Sequence, residues 1–233
     1  MTTSPVVAAI FFTTAEDDEG KNYELYCDAY GLEMQIDNEW NAEVILLAPH
    51  DHLGAVTEST SVTGEDAAIV TAGVTDVPIS EHGTPDFSVI NDPRNNWLLV
   101  GDPRNNDTDE TINLKLRGAL DAGCRVIFCT SEKNGSQLLA PLFKGLGPAE
   151  LSRIIIAVVL DKDADEPDVV QRTVQAIRDQ FRSTVGTTER LRFIVASQAT
   201  AEKAVAFVSL QGVDGVLLID SDYCKILDVL VGL

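Results

Sequence analysis

Residues 97–129 read WLLVGDPRNNDTDETINLKLRGALDAGCRVIFC, and their order of residue types is that of a strand, a helix and a second strand. Trp97 to Gly101 is a short apolar run. Asp107 or Thr108 then offers a side-chain oxygen where a helix needs its first N–H groups capped, and Ile112, Leu116 and Leu120 recur four apart along one helical face. Arg125 to Cys129 restores an uninterrupted run rich in Val and Ile. Runs that are apolar throughout suit parallel strands covered on both faces, and a parallel pair needs a crossover of this kind.

The same grammar extends in both directions. Val6 to Phe12, Val44 to Ala48, Ala68 to Ala72, Ile154 to Leu160, Leu191 to Ala196 and Val216 to Ile219 are further runs of strand length, making eight. Between them, Asp165, Glu166 and Pro167 open a helix whose Val170, Val174, Ile177 and Phe181 share a face, and Thr200 caps another carrying Ala204, Phe207 and Val208. Weaker helical patterns cover Tyr23 to Met34, Ser136 to Leu146 and Tyr223 to Leu230. Eight units in 233 residues give about 29 residues each, which predicts an α/β protein built as a single (β/α)8 TIM-barrel domain over residues 1–233. An open doubly wound sheet is the other arrangement the pattern permits. The segment from Gly73 to Asn96 has no clear periodicity and is rich in Pro, Asp and Asn, the composition of a functional or interfacial loop. The pentapeptide Asp-Pro-Arg-Asn-Asn occurs at Asp92 to Asn96 and again at Asp102 to Asn106, too short and too few for a solenoid.

Charge narrows the partners. With 17 Lys and Arg against 37 Asp and Glu the net charge is −20, which argues against nucleic acid and against an anionic membrane surface, both of which demand clustered cations. No apolar run approaches the roughly 18 residues that span a bilayer, and the first cation, Lys21, comes too late for a secretory or transit leader. Cys27, Cys124, Cys129 and Cys224 are scattered, without a C-x-x-C pair, so the expected setting is the cytoplasm or another reducing soluble compartment.

Trp97-Leu-Leu-Val-Gly101-Asp102-Pro-Arg104-Asn-Asn106, then Leu114-Lys115, then Ala119-Leu120-Asp-Ala-Gly123, then Val126-Ile127-Phe-Cys129-Thr-Ser-Glu132 resembles the central region of the triosephosphate isomerase family. The family reads W-V-I-L-G-H-S-E-R-R, a helix with a lysine, A-L-x-x-G and V-I-x-C-I-G-E. Glu43 to Pro49 looks like the family's second strand with its A-P-P, Val213-Asp214-Gly215-Val216-Leu217 like its D-G-F-L-V, and Pro167 to Arg178 like the helix after the lid loop. The resemblance covers nearly the whole chain in register, and it implies the same barrel.

It also implies a lost active site. The family uses a glutamate base, a histidine that polarises the substrate oxygens, and a lysine. Thr13 stands at the lysine position, Asp102 at the histidine and Val159 at the glutamate. An ionised carboxylate only accepts hydrogen bonds, and valine carries no proton chemistry. The glycine-rich phosphate cradle is replaced by Ser197 with its neighbours Ala196 and Gln198, and by Ile219 and Asp220 followed by Ser221. Pro167 follows Val159 by only eight positions where the family runs 13, a lid too short to close in the same way. In its place come Asp161, Asp163, Asp165, Glu166 and Asp168, which with Asp102, Asp220 and Asp222 would line the C-terminal face with carboxylates and repel a phosphate.

Other candidate residues have plainer readings. Asp161, Asp163 and Asp165 open like a calcium loop, but Glu166 and Arg172 occupy the positions that need Gly and Glu, so a solvated helix N-terminus fits better. His50 and His52 suggest a metal pair, whereas the resemblance gives His52 a packed surface position, and His82 has no evident partner. Cys129 matches a core cysteine of the family, and Cys124 makes no metal motif with it. Glu132 matches the last residue of C-I-G-E without its histidine neighbour, leaving it a helix-capping role. Gly73 to Asn96 corresponds to the family's dimer loop, although Thr84-Pro85-Asp86 does not reproduce its motif. The expectation is a barrel without catalysis, cofactor or metal, serving as a protein-binding or self-associating component, its acidity suiting a basic partner. The alternatives are an enzyme with new carboxylate- or metal-dependent chemistry at Asp102 or the lid acids, and a strongly diverged isomerase.

Overall fold

The computed structural model describes residues 6–10, 43–60, 70–81, 83–90, 92, 95–132, 135–161, 164–186, 188, 191–219, 226 and 229–230. Strands β1 (Val6–Ile10), β2 (Glu43–Ala48), β3 (Val70–Val74), β4 (Trp97–Val100), β5 (Arg125–Thr130), β6 (Ile154–Val159), β7 (Arg192–Ser197) and β8 (Gly215–Leu218) follow one another around a closed parallel barrel. Closure decides between the two arrangements the sequence permits: Ala8 of β1 lies opposite Ile45 of β2 on one side and Leu217 of β8 on the other. Described helices on the outside are α1 (Leu53–Thr60), α2 (Asp109–Asp121), α3 (Gly135–Phe143), the single turn α4 (Pro148–Leu151), α5 (Pro167–Val185) and α6 (Ala201–Val208).

Alternation along each strand explains why the runs are apolar throughout. Ile154, Ile156 and Val158 of β6 point outward into the layer under the helices, while Ile155, Ala157 and Val159 point into the barrel. Helix faces match the spacing that predicted them. In α5, Val170, Val174, Ile177 and Phe181 are buried, and Phe181 packs edge-to-face on Phe143 (4.8 Å between centroids) and Phe193 (5.8 Å). The Thr108 hydroxyl caps α2 by accepting from the Thr111 N–H at 3.2 Å, and the Thr200 hydroxyl caps α6 by accepting from the Lys203 N–H at 3.4 Å.

Three features depart from the sequence reading. β3 runs on through Gly73 and Val74, because Gly73 leaves room for Trp97 beside it: a Cβ there would sit 2.3 Å from the Trp97 carbonyl oxygen. α1 is an unanticipated helix, since its sequence LGAVTEST has neither strong propensity nor a clear stripe. The segment after β3 is folded as well. Ile79 and Pro85 form an antiparallel bridge, Ser80 N–H donates to the Thr84 carbonyl at 2.9 Å, and Ser88–Ile90 forms a 3-10 turn. Phe11, Phe12 and the pattern at Tyr23 to Met34 lie outside the described residues; of Tyr23's C-terminal counterpart, Tyr223 to Leu230, only Ile226, Val229 and Leu230 lie within them, and all three are helical.

Candidate functional site

The C-terminal ends of barrel strands are where this architecture places chemistry. Here the inward-facing side chains near that end are Leu47, Leu99, Cys129, Val159, Ala196 and Leu217, joined by Ile219 just beyond β8. Val159 and Ile219 are only half-buried, so they form an apolar floor open towards the mouth. Cys129 is the one titratable group in this set. Burial, reinforced by the nearby Asp102 carboxylate and only partly opposed by Arg104, pushes its thiol far above the usual range, which keeps it protonated and unreactive.

Asp102 follows β4 at the mouth, beside a glycine the backbone requires: Gly101 has φ of 78°, and a Cβ on it would lie 2.8 Å from the Cys129 carbonyl oxygen. The Asp102 carboxylate does not face the mouth as a bare charge. It accepts from the Arg104 backbone N–H (3.0 Å), from Arg104 Nε (2.9 and 3.0 Å to its two oxygens) and from Arg104 Nη2 (2.5 Å), and it is 5% exposed. The clamp comes from Pro103–Asn105, a 3-10 turn capped by Asp102 itself. Asp165 likewise accepts from Lys203 of α6, and this hydrogen bond lowers its carboxyl below the usual range. For Asp102 and Asp165 these two pairs correct the expectation of carboxylates that would repel a phosphate, because each acid has a cation as its partner.

What remains open at the mouth is a pocket of about 220 Å³ between β5, β6 and the start of α5, lined by Ser131, Glu132, Val159, Asp161 and Thr173 among others. Its walls hold hydroxyls, carboxylates and aliphatic groups, with no imidazole, lysine or arginine among the described lining. Such walls bury methyl groups and accept hydrogen bonds, and the hydroxyls of Ser131 and Thr173 are the only side-chain donors among the described lining. Glu132 is exposed on this rim, two residues beyond β5. Ser197 ends β7, half-buried, at the side of the mouth. Thr13, Asp163, Asp220, Ser221 and Asp222 lie outside the described residues.

The histidines do not converge. His50 Nε2 contacts Asp51 Oδ1 at 2.6 Å in the 3-10 turn after β2, while His52 is buried, deeper than the surface position its resemblance suggested. His82 lies outside the described residues. Among the described residues, no three His, Cys, Asp or Glu side chains come together in a way that could hold a metal ion.

One cluster at the mouth side escaped the sequence reading, which took Lys115 only as part of the resemblance. Lys115 of α2 is 1% exposed, and its ammonium donates to Asp76 (2.7 Å) and to both oxygens of Asp107 (2.9 and 2.7 Å). Burial by itself lowers its pKa, but its hydrogen bonds to Asp107 and then to Asp76 outweigh that and raise it above the ordinary lysine value. The triad ties the segment after β3 to the loop after β4. Its signal was legible: Lys115 is three residues from Ile112 and one from Leu116, on the buried side of the helix.

No protein-family model matches the chain, and no curated protein sequence matches it. Among the described residues, no helix is long and apolar enough to cross a membrane.

Proposed function

We propose that this barrel is a triosephosphate-isomerase-like protein that has given up catalysis and works by binding another protein or a second copy of itself. The observation that carries the reading is the chemistry of the mouth floor. Leu47, Val159, Ala196 and Ile219 occupy the inward-facing positions from which a barrel enzyme works, Cys129 is held protonated, and the Asp102 carboxylate after β4 is occupied by Arg104. A proton abstraction beside a carbonyl needs a base in reach of the carbon and a donor in reach of the oxygen. Neither is supplied by these side chains.

Support for an interaction role lies in the segment after β3, the place of the family's dimer contact. Its tip is held as a hairpin and its described residues, Ser80, Glu81, Gly83 and Thr84, are exposed, with Ile79 47% exposed at its base. An ordered, projecting turn with an uncovered aliphatic side chain is the kind of feature that an interface covers. The acidity of the rest of the surface favours a partner with a basic face.

The deciding experiment is turnover of glyceraldehyde 3-phosphate by the purified protein. The expected outcome is no isomerisation above the uncatalysed background. Isomerisation that survives repurification and is abolished by a substitution at the mouth would overturn the proposal and identify the chain as a diverged isomerase.

A further inference from the structure

The opposite, N-terminal end of the barrel has the reverse electrostatics. By strand alternation, Glu43, Arg125 and Arg192, the first residues of β2, β5 and β7, share the inward parity of Ile45, Ile127 and Ile194. Their side chains therefore meet across the bottom of the lumen. Arg192 Nη1 donates to Glu43 Oε2, and Arg125 Nη1 stands 3.8 Å from Glu43 Oε1, beyond hydrogen-bond distance. One carboxylate thus serves two guanidinium groups, and the cluster carries an excess positive charge inside a chain of net charge −20.

Among the described residues, Arg125 is the member of this cluster whose guanidinium makes an ion pair but no hydrogen bond. Its guanidinium lies 5.4 Å from the centroid of the Trp97 ring, and Trp97 is itself fixed by burial and by its indole N–H on Thr71 Oγ1 at 3.0 Å. The Arg125 side chain donates no hydrogen bond to any described residue, yet it is only 40% exposed and held in place from one side. A planar donor fork that is held in position, and whose N–H groups no described residue accepts, is the arrangement that takes two oxygens of one anion at once. Water can fill donor sites, but it cannot balance the extra charge.

We infer that the N-terminal end of the barrel is a binding site for one small oxyanion, a sulfate, phosphate or carboxylate, bridging Arg125 and Arg192. The distant acidic surface opposes this weakly, because charges beyond the Debye length are screened while the two arginines are local. The site is independent of the mouth, and it stands whether or not the barrel has lost catalysis.

The test is calorimetric titration of sulfate into the full chain at constant ionic strength, with chloride as the balancing anion. Wild-type protein should bind one sulfate per chain, and Arg125→Gln should lose that binding with its circular dichroism spectrum unchanged. Glu43→Gln should bind more tightly, by about tenfold, because it removes the carboxylate that competes for both guanidinium groups. Arg104→Gln at the mouth should leave the binding unchanged. No saturable heat in wild type, equal binding by Arg125→Gln, or weaker binding by a folded Glu43→Gln would each overturn the inference. Should Arg125→Gln fail to fold, Arg125→Lys keeps the charge without the fork and must bind more weakly.

Discussion

Lys115 shows how much of the mouth depends on single side chains. Its ammonium is surrounded by Asp76, 40% exposed, and Asp107, 11% exposed, so removing the cation leaves one carboxylate well buried and one partly hydrated. Lys115→Met should therefore destabilise the fold by about 3 kcal/mol, the lower part of the range for breaking a buried pair, as read by urea unfolding near neutral pH. Because its pKa is raised in the folded state, the stabilisation it brings is fully present below the unfolded lysine value of roughly 10.4 and is lost as pH climbs through the folded one. The gap between wild type and variant should hold constant up to about pH 10 and narrow above it. A gap that narrows between pH 6 and 9 would assign the effect to other groups. Asp102 teaches the complementary lesson. Its identity was read correctly as an acceptor, but its partner Arg104, two residues away, became a clamp only through the 3-10 turn at Pro103–Asn105, and single-residue reading gives no account of a turn's geometry.

At the level of elements, legibility followed the strength of burial. The eight strands were readable because both faces of each are covered, so that Thr71 of β3 is the only polar residue in a strand interior, and α5 because its four buried positions step by four, three and four. α1 was not, since LGAVTEST packs through Leu53 and Val56 alone among its described buried side chains. The hairpin after β3 was hidden for another reason. Its order comes from backbone hydrogen bonds between Pro78–Ser80 and Thr84–Asp86, which leave no apolar period in the sequence. Of the candidate site, the residue types at Asp102, Val159, Ser197 and Ile219 were visible, whereas the pairings that neutralise Asp102 and Asp165 were not. The interlocking of elements is itself testable at Phe181. It joins α5 to α3 through Phe143 and to β7 through Phe193, within a row that continues from Phe143 to Phe128 of β5 at 5.3 Å. Phe181→Ala should cost about 3–5 kcal/mol in urea unfolding, from lost burial and the cavity left behind. Phe181→Leu should recover most of that loss, and equal losses for the two would show that ring–ring geometry, rather than volume, holds α5 to the barrel.

Among the described residues, most cations are engaged by a carboxylate or a backbone carbonyl, while many acids are left exposed. Arg104, Lys115, Arg178, Arg192 and Lys203 pair with Asp or Glu, and Arg117 and Arg153 donate into backbone carbonyls at Lys144 (2.6 Å) and Leu120 (2.9 Å). Glu81, Asp86, Asp109, Glu110, Asp121, Glu166, Asp168 and Glu202 are all exposed. A folded chain with that distribution repels itself, more so than its expanded unfolded state, and salt screens the repulsion. Melting temperature should therefore rise as NaCl goes from about 0.1 M to about 1 M, over which the Debye length falls from roughly 10 Å to 3 Å. Asp121 isolates the electrostatic part, because it ends α2 and its charge opposes the helix dipole as well as adding to the surface. Asp121→Lys should stabilise by about 0.3–1 kcal/mol at the lower salt. The two melting curves should converge as salt rises, since the substitution acts only through charge at an exposed position. A gap that stays constant would mean that packing or helix propensity, not repulsion, separates the two proteins, and the surface acidity would then need another physical account.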